Sequence, residues 1–270
     1  MSDKKMTYFM YHELEPLSGP QRRWEEQYRR YIVTESEFRK QMRYLQESGI
    51  RGTSVTEALR APNRRTVAIT FDDGCETDLT IAAPLLREAN CNATFYIVVG
   101  SVGLRGRLSL TQLRELNELG FEIGCHTMTH PHLDDLGEKE LRFEIVEAKI
   151  KLEQMLGRQV DHLSCPGGRW NRHVADIAKD AGYVSATTSR IGVNTRWTDP
   201  FALKRVAIMR WTTLVQFQAA CCGAGLWQRK VRELALTAAK RALGNSRYDQ
   251  IRAGLLRRCG PLAPKNANLE

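Results

Sequence analysis

TVAITFDDG, residues 66–74, carries six β-branched and apolar residues straight into two aspartates and a glycine. A run of that length and composition reads as a strand buried on both faces, the kind found in parallel sheets. In barrel enzymes the end of such a strand is where catalytic groups sit. Adjacent carboxylates at the edge of a buried strand are costly unless a cation or a shared proton offsets their charge. Asp-Asp-Gly is also good turn chemistry, so a solvated turn stands beside the catalytic reading when the motif is taken alone.

Working outward, the same alternation of short apolar strands and amphipathic helices recurs along the chain. MTYFMYH at 6–12 reads as a strand, followed after a charged loop by a helix over 34–49, with Thr34 and Glu37 as a capping box and Gly49 as its stop. A helical segment through IAAPLLREA leads to the strand ATFYIV; Ser109 and Gln112 open a further helix before the strand FEIG. Residues 138–156 place Leu141, Ile145, Ala148, Leu152 and Met155 on one face of a helix. The strand DHLSC, a helix over 171–181 and the strand YVSATT follow. Strands without strong alternation, separated by helices, predict an α/β fold with a parallel sheet, and this many repeats predict closure into a barrel; an open doubly wound sheet is the alternative.

The second constellation is HTMTH, in which His126 and His130 lie four apart directly after FEIG in a chain with six histidines. Four-residue spacing on a helical turn lets two imidazoles meet one metal ion. A carboxylate and two histidines make an open site for a divalent transition metal, with Asp73 as third ligand and Asp72 left to act as a base. His132 follows Pro131 and is expected outside the ligand set.

TFDDG at 70–74 and HTMTH at 126–130, in this order and about fifty residues apart, resemble the first two signatures of the polysaccharide deacetylase family, also called the NodB-homology domain. The similarity spans roughly residues 6–210. It implies a distorted (β/α) barrel, Asp72 as general base, and Asp73, His126 and His130 as metal ligands. It further implies removal of an N-acetyl group from an amino sugar in a glycan. The family's third signature is Arg-x-Pro-aromatic; the matching place, SCPGGRW at 164–170, has Pro166 but Ser164 in place of the arginine. Gly167 N–H is then a candidate oxyanion donor and Arg169 and Trp170 candidate substrate contacts, beside the plainer reading of a Pro-Gly-Gly turn. The late Leu-x-His signature, source of the family's catalytic acid, is missing, since no histidine follows His173. His12, in MYHEL, resembles the Tyr-His near the start of exopolysaccharide-deacetylase relatives and takes the acid role by that resemblance; an imidazole suits proton donation near neutral pH.

The donor set admits zinc, nickel, cobalt and iron, with Zn2+ as the default. A deformylase or small cyclic amide hydrolase would use the same groups, and a silent glycan-binding barrel is the rival from another class. Seven cysteines without a framework spacing suit reduced thiols, with Cys91, Cys125 and Cys165 expected in the core. Neither an export signal nor a membrane span is read in the chain, so a cytoplasmic protein is expected.

The net charge of +9 is uneven: residues 204–270 hold 13 Lys/Arg against 3 Asp/Glu, while residues 1–203 hold 27 against 28. A catalytic domain over 1–215 and a basic helical extension over 216–270 are therefore expected. The extension's amphipathic helices, over 226–243 and around 248–258, suit either packing on the barrel or peripheral contact with an anionic membrane, which would make a lipid-linked sugar a natural substrate. No nucleic-acid motif is present.

Overall fold

A computed structural model describes residues 5–18, 26–60 and 65–226. Ten strands are present in this part: β1 Tyr8–Tyr11, β2 Leu14–Glu15, β3 Val33–Thr34, β4 Arg51–Thr53, β5 Thr66–Phe71, β6 Thr94–Ile97, β7 Glu122–Cys125, β8 His162–Ser164, β9 Ser185–Thr187 and β10 Val206–Ala207. The α-helices between them are α1 Glu26–Arg29, α2 Glu35–Glu47, α3 Val55–Arg60, α4 Ala83–Glu88, α5 Leu110–Glu118, α6 Glu138–Arg142, α7 Ala148–Leu156, α8 Arg172–Asp180 and α9 Leu214–Cys221.

The main sheet runs β10-β1-β5-β6-β7-β8-β9 with β4 beside β5, and every pairing in it is parallel. Segment 203–207 joins its two edges. Leu203 N–H donates to Ala186 at 3.0 Å and Leu203 C=O accepts from Thr188 at 2.8 Å, while Val206 and Ala207 pair with Phe9 and Met10. The result is the distorted (β/α) barrel expected above.

Alternation is present in these strands, and it sends the polar side chains to one face. Phe9, Tyr11, Val67, Ile69, Phe71, Phe95 and Ile97 face the helices in the main core cluster. Tyr11, Phe71 and Phe95 stack across three strands, with ring centroids 5.1 and 4.9 Å apart, and Phe38 of α2 meets Tyr11 and Phe71 edge-on. Each such contact adds about 0.5–1.5 kcal/mol to the burial of the rings. The opposite face, looking into the barrel, carries Thr70, Thr94, Gly124, His162, Ser164, Ser185 and Thr187 beside the larger Tyr8, Met10 and Tyr96. Gly124 is required there, because a Cβ would overlap the Tyr96 ring. The period of two therefore carries Thr70 on to Asp72, and Gly124 on to His126, on the inner face at the strand ends.

The helices follow their capping chemistry. Thr34 caps α2 by accepting from Glu37 N–H, and Ser109 with Gln112 forms the full reciprocal box on α5. Two helices differ from the simple expectation: Asp78–Ala82 before α4 and Phe143–Glu147 between α6 and α7 are π-helical turns. Cys91, Cys125 and Cys165 are buried and free. The compact unit extends to Leu226, and α9 within it lies against α2. No helix among the described residues is long and apolar enough to cross a membrane. The basic helices expected beyond residue 226, including Trp227, lie outside the described residues.

Candidate active site

The inner-face positions at the C-terminal ends of β1, β5 and β7 bring His12, Asp72 and His126 to one mouth of the barrel. Next to Asp72, the chain turns sharply through Asp73 at φ 85° and Gly74 at φ 65°. An aspartate in that left-handed region is held there by its surroundings, and such strain clusters at functional sites. The turn points the Asp73 carboxylate back over the mouth.

HTMTH meets it from the other side. The segment is a loop and not the helical turn that four-residue spacing suggests, since Thr127 and His130 both have positive φ, at 70° and 67°. Buried Glu144, on the π-helical turn, fixes this unusual backbone: its carboxylate accepts from Met128 N–H at 2.9 Å, Thr129 N–H at 2.8 Å and the Thr129 hydroxyl at 2.6 Å. The loop brings His126 Nε2 to 3.5 Å and His130 Nε2 to 3.4 Å from Asp73 Oδ1. His126 Nδ1 lies 2.8 Å from Ser164 C=O, which accepts its proton and leaves the Nε2 lone pair aimed at Asp73.

Asp73, His126 and His130 are the one group of three such donors found within ligand reach of one another among the described residues. Ligand atoms on a tetrahedral ion with bonds of about 2.0–2.1 Å stand about 3.3 Å apart, so the observed separations fit a zinc-sized cation. Acceptor atoms turned toward one another call for positive charge between them, and burial, the largest influence, pushes the His126 pKa down to about 4, keeping its ring in the neutral ligand form. His132 is excluded from this group and lies 4.0 Å from Asp135.

Asp72 is held differently. Arg205, fully buried on the segment that closes the barrel, grips it through two parallel bonds of 2.7 and 2.8 Å. The remaining guanidinium N–H groups go to Thr188 C=O, the Thr70 hydroxyl and the Ser164 hydroxyl at 2.9, 3.1 and 2.9 Å. All five donors of the fork are thereby matched. Burial alone would raise the Asp72 pKa; the charge of Arg205, then that of His126, prevails and holds the carboxyl well below the usual carboxylate range. Asp72 is therefore ionised, fixed in orientation, and 3.9 Å from His126 Nε2.

Arg205 supplies the charge that the third signature lacks at Ser164. The two residues now share one network, with Ser164 Oγ also 3.3 and 3.4 Å from the Asp72 oxygens. Sequence reading missed Arg205. The available signal was an arginine heading a short apolar run, VAI, combined with an aspartate deprived of its expected cation.

The other residues of the third signature sit nearby. Pro166 is buried, Gly167 turns at φ 61°, and Arg169 pairs with Asp135 at 3.2 Å and Asp134 at 3.8 Å. Trp170 carries Arg190 over its ring at 4.7 Å. The His12 ring lies tilted against Tyr31 at 4.7 Å, and its Nδ1 is buried with no hydrogen-bond partner among the described residues. Burial lowers the His12 pKa, with Asp73 and then Asp72 pulling the other way, so its ring feels the same carboxylates that define the mouth.

Comparison with known proteins agrees with this geometry. Residues 60–186 match the polysaccharide deacetylase family. Over 182 residues, 65% of each chain, the protein is 29% identical to "Putative polysaccharide deacetylase YxkH" of Bacillus subtilis. It is 30% identical over 139 residues to the peptidoglycan-N-acetylglucosamine deacetylase of Bacillus cereus, covering 51% of this chain and 63% of that one. The chain thus spans under two thirds of the length of these relatives. Among solved structures, BC0361, a polysaccharide deacetylase from Bacillus cereus, superposes with a TM-score of 0.71 at 25% identity, covering 81% of this chain and 69% of that one. Through residues 60–186 and its fold, the chain is similar to the polysaccharide deacetylase family.

Proposed function

We propose that the protein is a metal-dependent hydrolase that removes the N-acetyl group from an amino sugar of a glycan. The observation that carries this reading is the meeting, at one barrel mouth, of a three-donor cation cluster and a separate ionised carboxylate clamped by Arg205. The named activities of its relatives support the same bond type.

Asp73, His126 and His130 would hold the metal, with Zn2+ the default. A divalent ion there supplies Lewis acidity, polarising a carbonyl and making nearby water more acidic. That acidity matters for Asp72, because a carboxylate held so low by an arginine is a weak base toward ordinary water. Asp72 orients the attacking water and accepts its proton. The buried His12 imidazole, once protonated, delivers that proton to the departing nitrogen; with the proton taken by Asp72 returned to His12 or solvent, amide and water give free amine, acetate and one released proton. Gly167 N–H is the proposed donor to the acyl oxygen and Trp170 the proposed contact for the sugar ring.

The test is acetate release from N-acetylglucosamine oligomers by the full chain, with formate measured alongside. Acetate, lost in Asp72→Asn with bound metal retained, supports the assignment; formate from a formamido sugar would move the reading to a deformylase. A cytoplasmic location, possible only with a substrate made inside the cell, belongs to the same proposal and is tested by cell fractionation.

A further inference from the structure

A large indole held out in water stands on a turn whose flanking residues are tied down. Trp211 is 64% exposed. It follows β10, whose Ile208 N–H bonds Met10 C=O next to the end of β1, so the turn that carries it rises from the strand adjoining His12. That turn is tied on both sides. Arg210 N–H donates to Arg30 C=O at 2.8 Å and its guanidinium to Glu15 at 2.6 Å. Thr212 is buried, donates its N–H to Met209 C=O at 2.9 Å, and takes Met209 N–H on its hydroxyl at 2.9 Å. Arg30, whose carbonyl holds Arg210, lies over Tyr31 at 4.7 Å, and Tyr31 lies against His12 at 4.7 Å, so the turn that carries Trp211 is tied to a residue row leading to the mouth.

Exposing an indole forfeits the burial that usually recommends tryptophan, and a tied backbone beneath it reduces the ordering cost when a ligand arrives. An aromatic face pre-organised at the rim matches the apolar C–H face of a pyranose ring. We infer that Trp211 forms a glycan subsite, stacking a sugar ring next to the one whose acyl group enters the mouth. The protein would therefore prefer an oligomer or polymer over a single sugar. This inference rests on the deacetylase reading for the position of the scissile group, while the stacking itself does not require turnover.

The experiment is calorimetric titration of the full chain with the pentamer of N-acetylglucosamine, run with acetate-release kinetics on the same oligomer. Trp211→Ala should weaken pentamer binding and raise KM about tenfold, the scale of one aromatic contact, with kcat nearly constant. Trp211→Tyr should recover most of the loss. Trp197→Ala is the control: Trp197 is 72% exposed on the loop that pairs with Met6 at the far end of β1, and its removal should change neither quantity. Pentamer binding that weakens in Trp211→Ala without any acetate release would sustain the subsite and sink the deacetylase reading instead. Equal binding by the parent and Trp211→Ala would overturn the subsite alone. No pentamer binding by the parent, or loss of anionic-vesicle association in its place, would overturn it too.

Discussion

Both ends of the barrel interior hold a buried histidine beside a carboxylate, and they differ in how those groups are satisfied. At the lower end Glu122 accepts from Val55 N–H at 3.0 Å, from Thr56 N–H at 3.3 Å and from the Thr94 hydroxyl. His162 has a partner on each ring nitrogen, Ser185 Oγ at 2.9 Å and Thr56 Oγ1 at 2.7 Å. Serine, histidine and glutamate in contact resemble a nucleophile relay, yet Ser185 is fully buried and every polar atom named is spent on structure. At the upper end acceptor faces acceptor, and Asp73, Thr127 and His130 are kept at positive φ. Saturation marks a structural network; convergent lone pairs on a strained backbone, which Arg107 at 3.8 Å from Asp73 meets from one side only, mark a site for something else.

This contrast can be broken most sharply at Asp72. Replacing it with asparagine should lower turnover by about 10³-fold, within the 10²–10⁴ typical of a single acid–base group, while metal content stays unchanged. Because Arg205 then keeps a buried charge without its counter-ion, the variant should also melt earlier. Assays must therefore run below its midpoint.

Arg205→Met comes next. Removing one partner of a buried pair costs about 3–5 kcal/mol, to be read from urea unfolding, and Arg205→Lys should recover little of it because an ammonium cannot reproduce the planar fork. If Arg205→Met were as stable as the parent, the closure of the barrel would not depend on this clamp.

The lower network should respond in stability and not in chemistry. Glu122→Gln is expected to cost about 1–3 kcal/mol at neutral pH while kcat holds, once folded protein is compared. Burial tends to raise the Glu122 pKa, but hydrogen bonding and charge from His162 bring it down to about 2 from 4.5. A carboxylate depressed on folding stabilises fully above the unfolded value and loses that contribution as pH falls toward the folded one. The parent should therefore lose stability between about pH 4.5 and 2, and Glu122→Gln should show a shallower slope over that window.

The smallest effect is expected at Glu144, which holds the HTMTH loop without touching the ligand cluster. Glu144→Gln should weaken metal binding about tenfold, the lower end for a residue that supports ligands from behind. A competition titration with a chelator measures it.

Much of this was legible in the residues. Asp72 and His126 announced themselves because each directly follows an apolar strand, with Asp73 next to the one and His130 four residues beyond the other, and a strand end has a defined place in a parallel barrel. The helix starts at Thr34, Ser109 and Asn171 were legible from local capping chemistry. The loop form of HTMTH was not, because positive φ at Thr127 and His130 is imposed by Glu144 from another element and has no local signal. The π-helical turns were hidden for a related reason: their side chains keep helical periodicity while the hydrogen bonds shift by one residue. Arg205 was hidden by distance along the chain, since the pairing of Asp72 with a residue 133 positions later exists only once the barrel closes. The absent arginine at Ser164 pointed to a missing cation without saying where it had gone.

The central claim is that the upper cluster is a metal site serving Asp72, and one measurement reaches it directly: metal content and acetate release on the same preparations of the parent, His126→Ala and Asp72→Asn. The account predicts about one ion per chain in the parent and in Asp72→Asn, almost none in His126→Ala, and acetate from the parent alone. Acetate release at the parent rate from metal-free His126→Ala would contradict it.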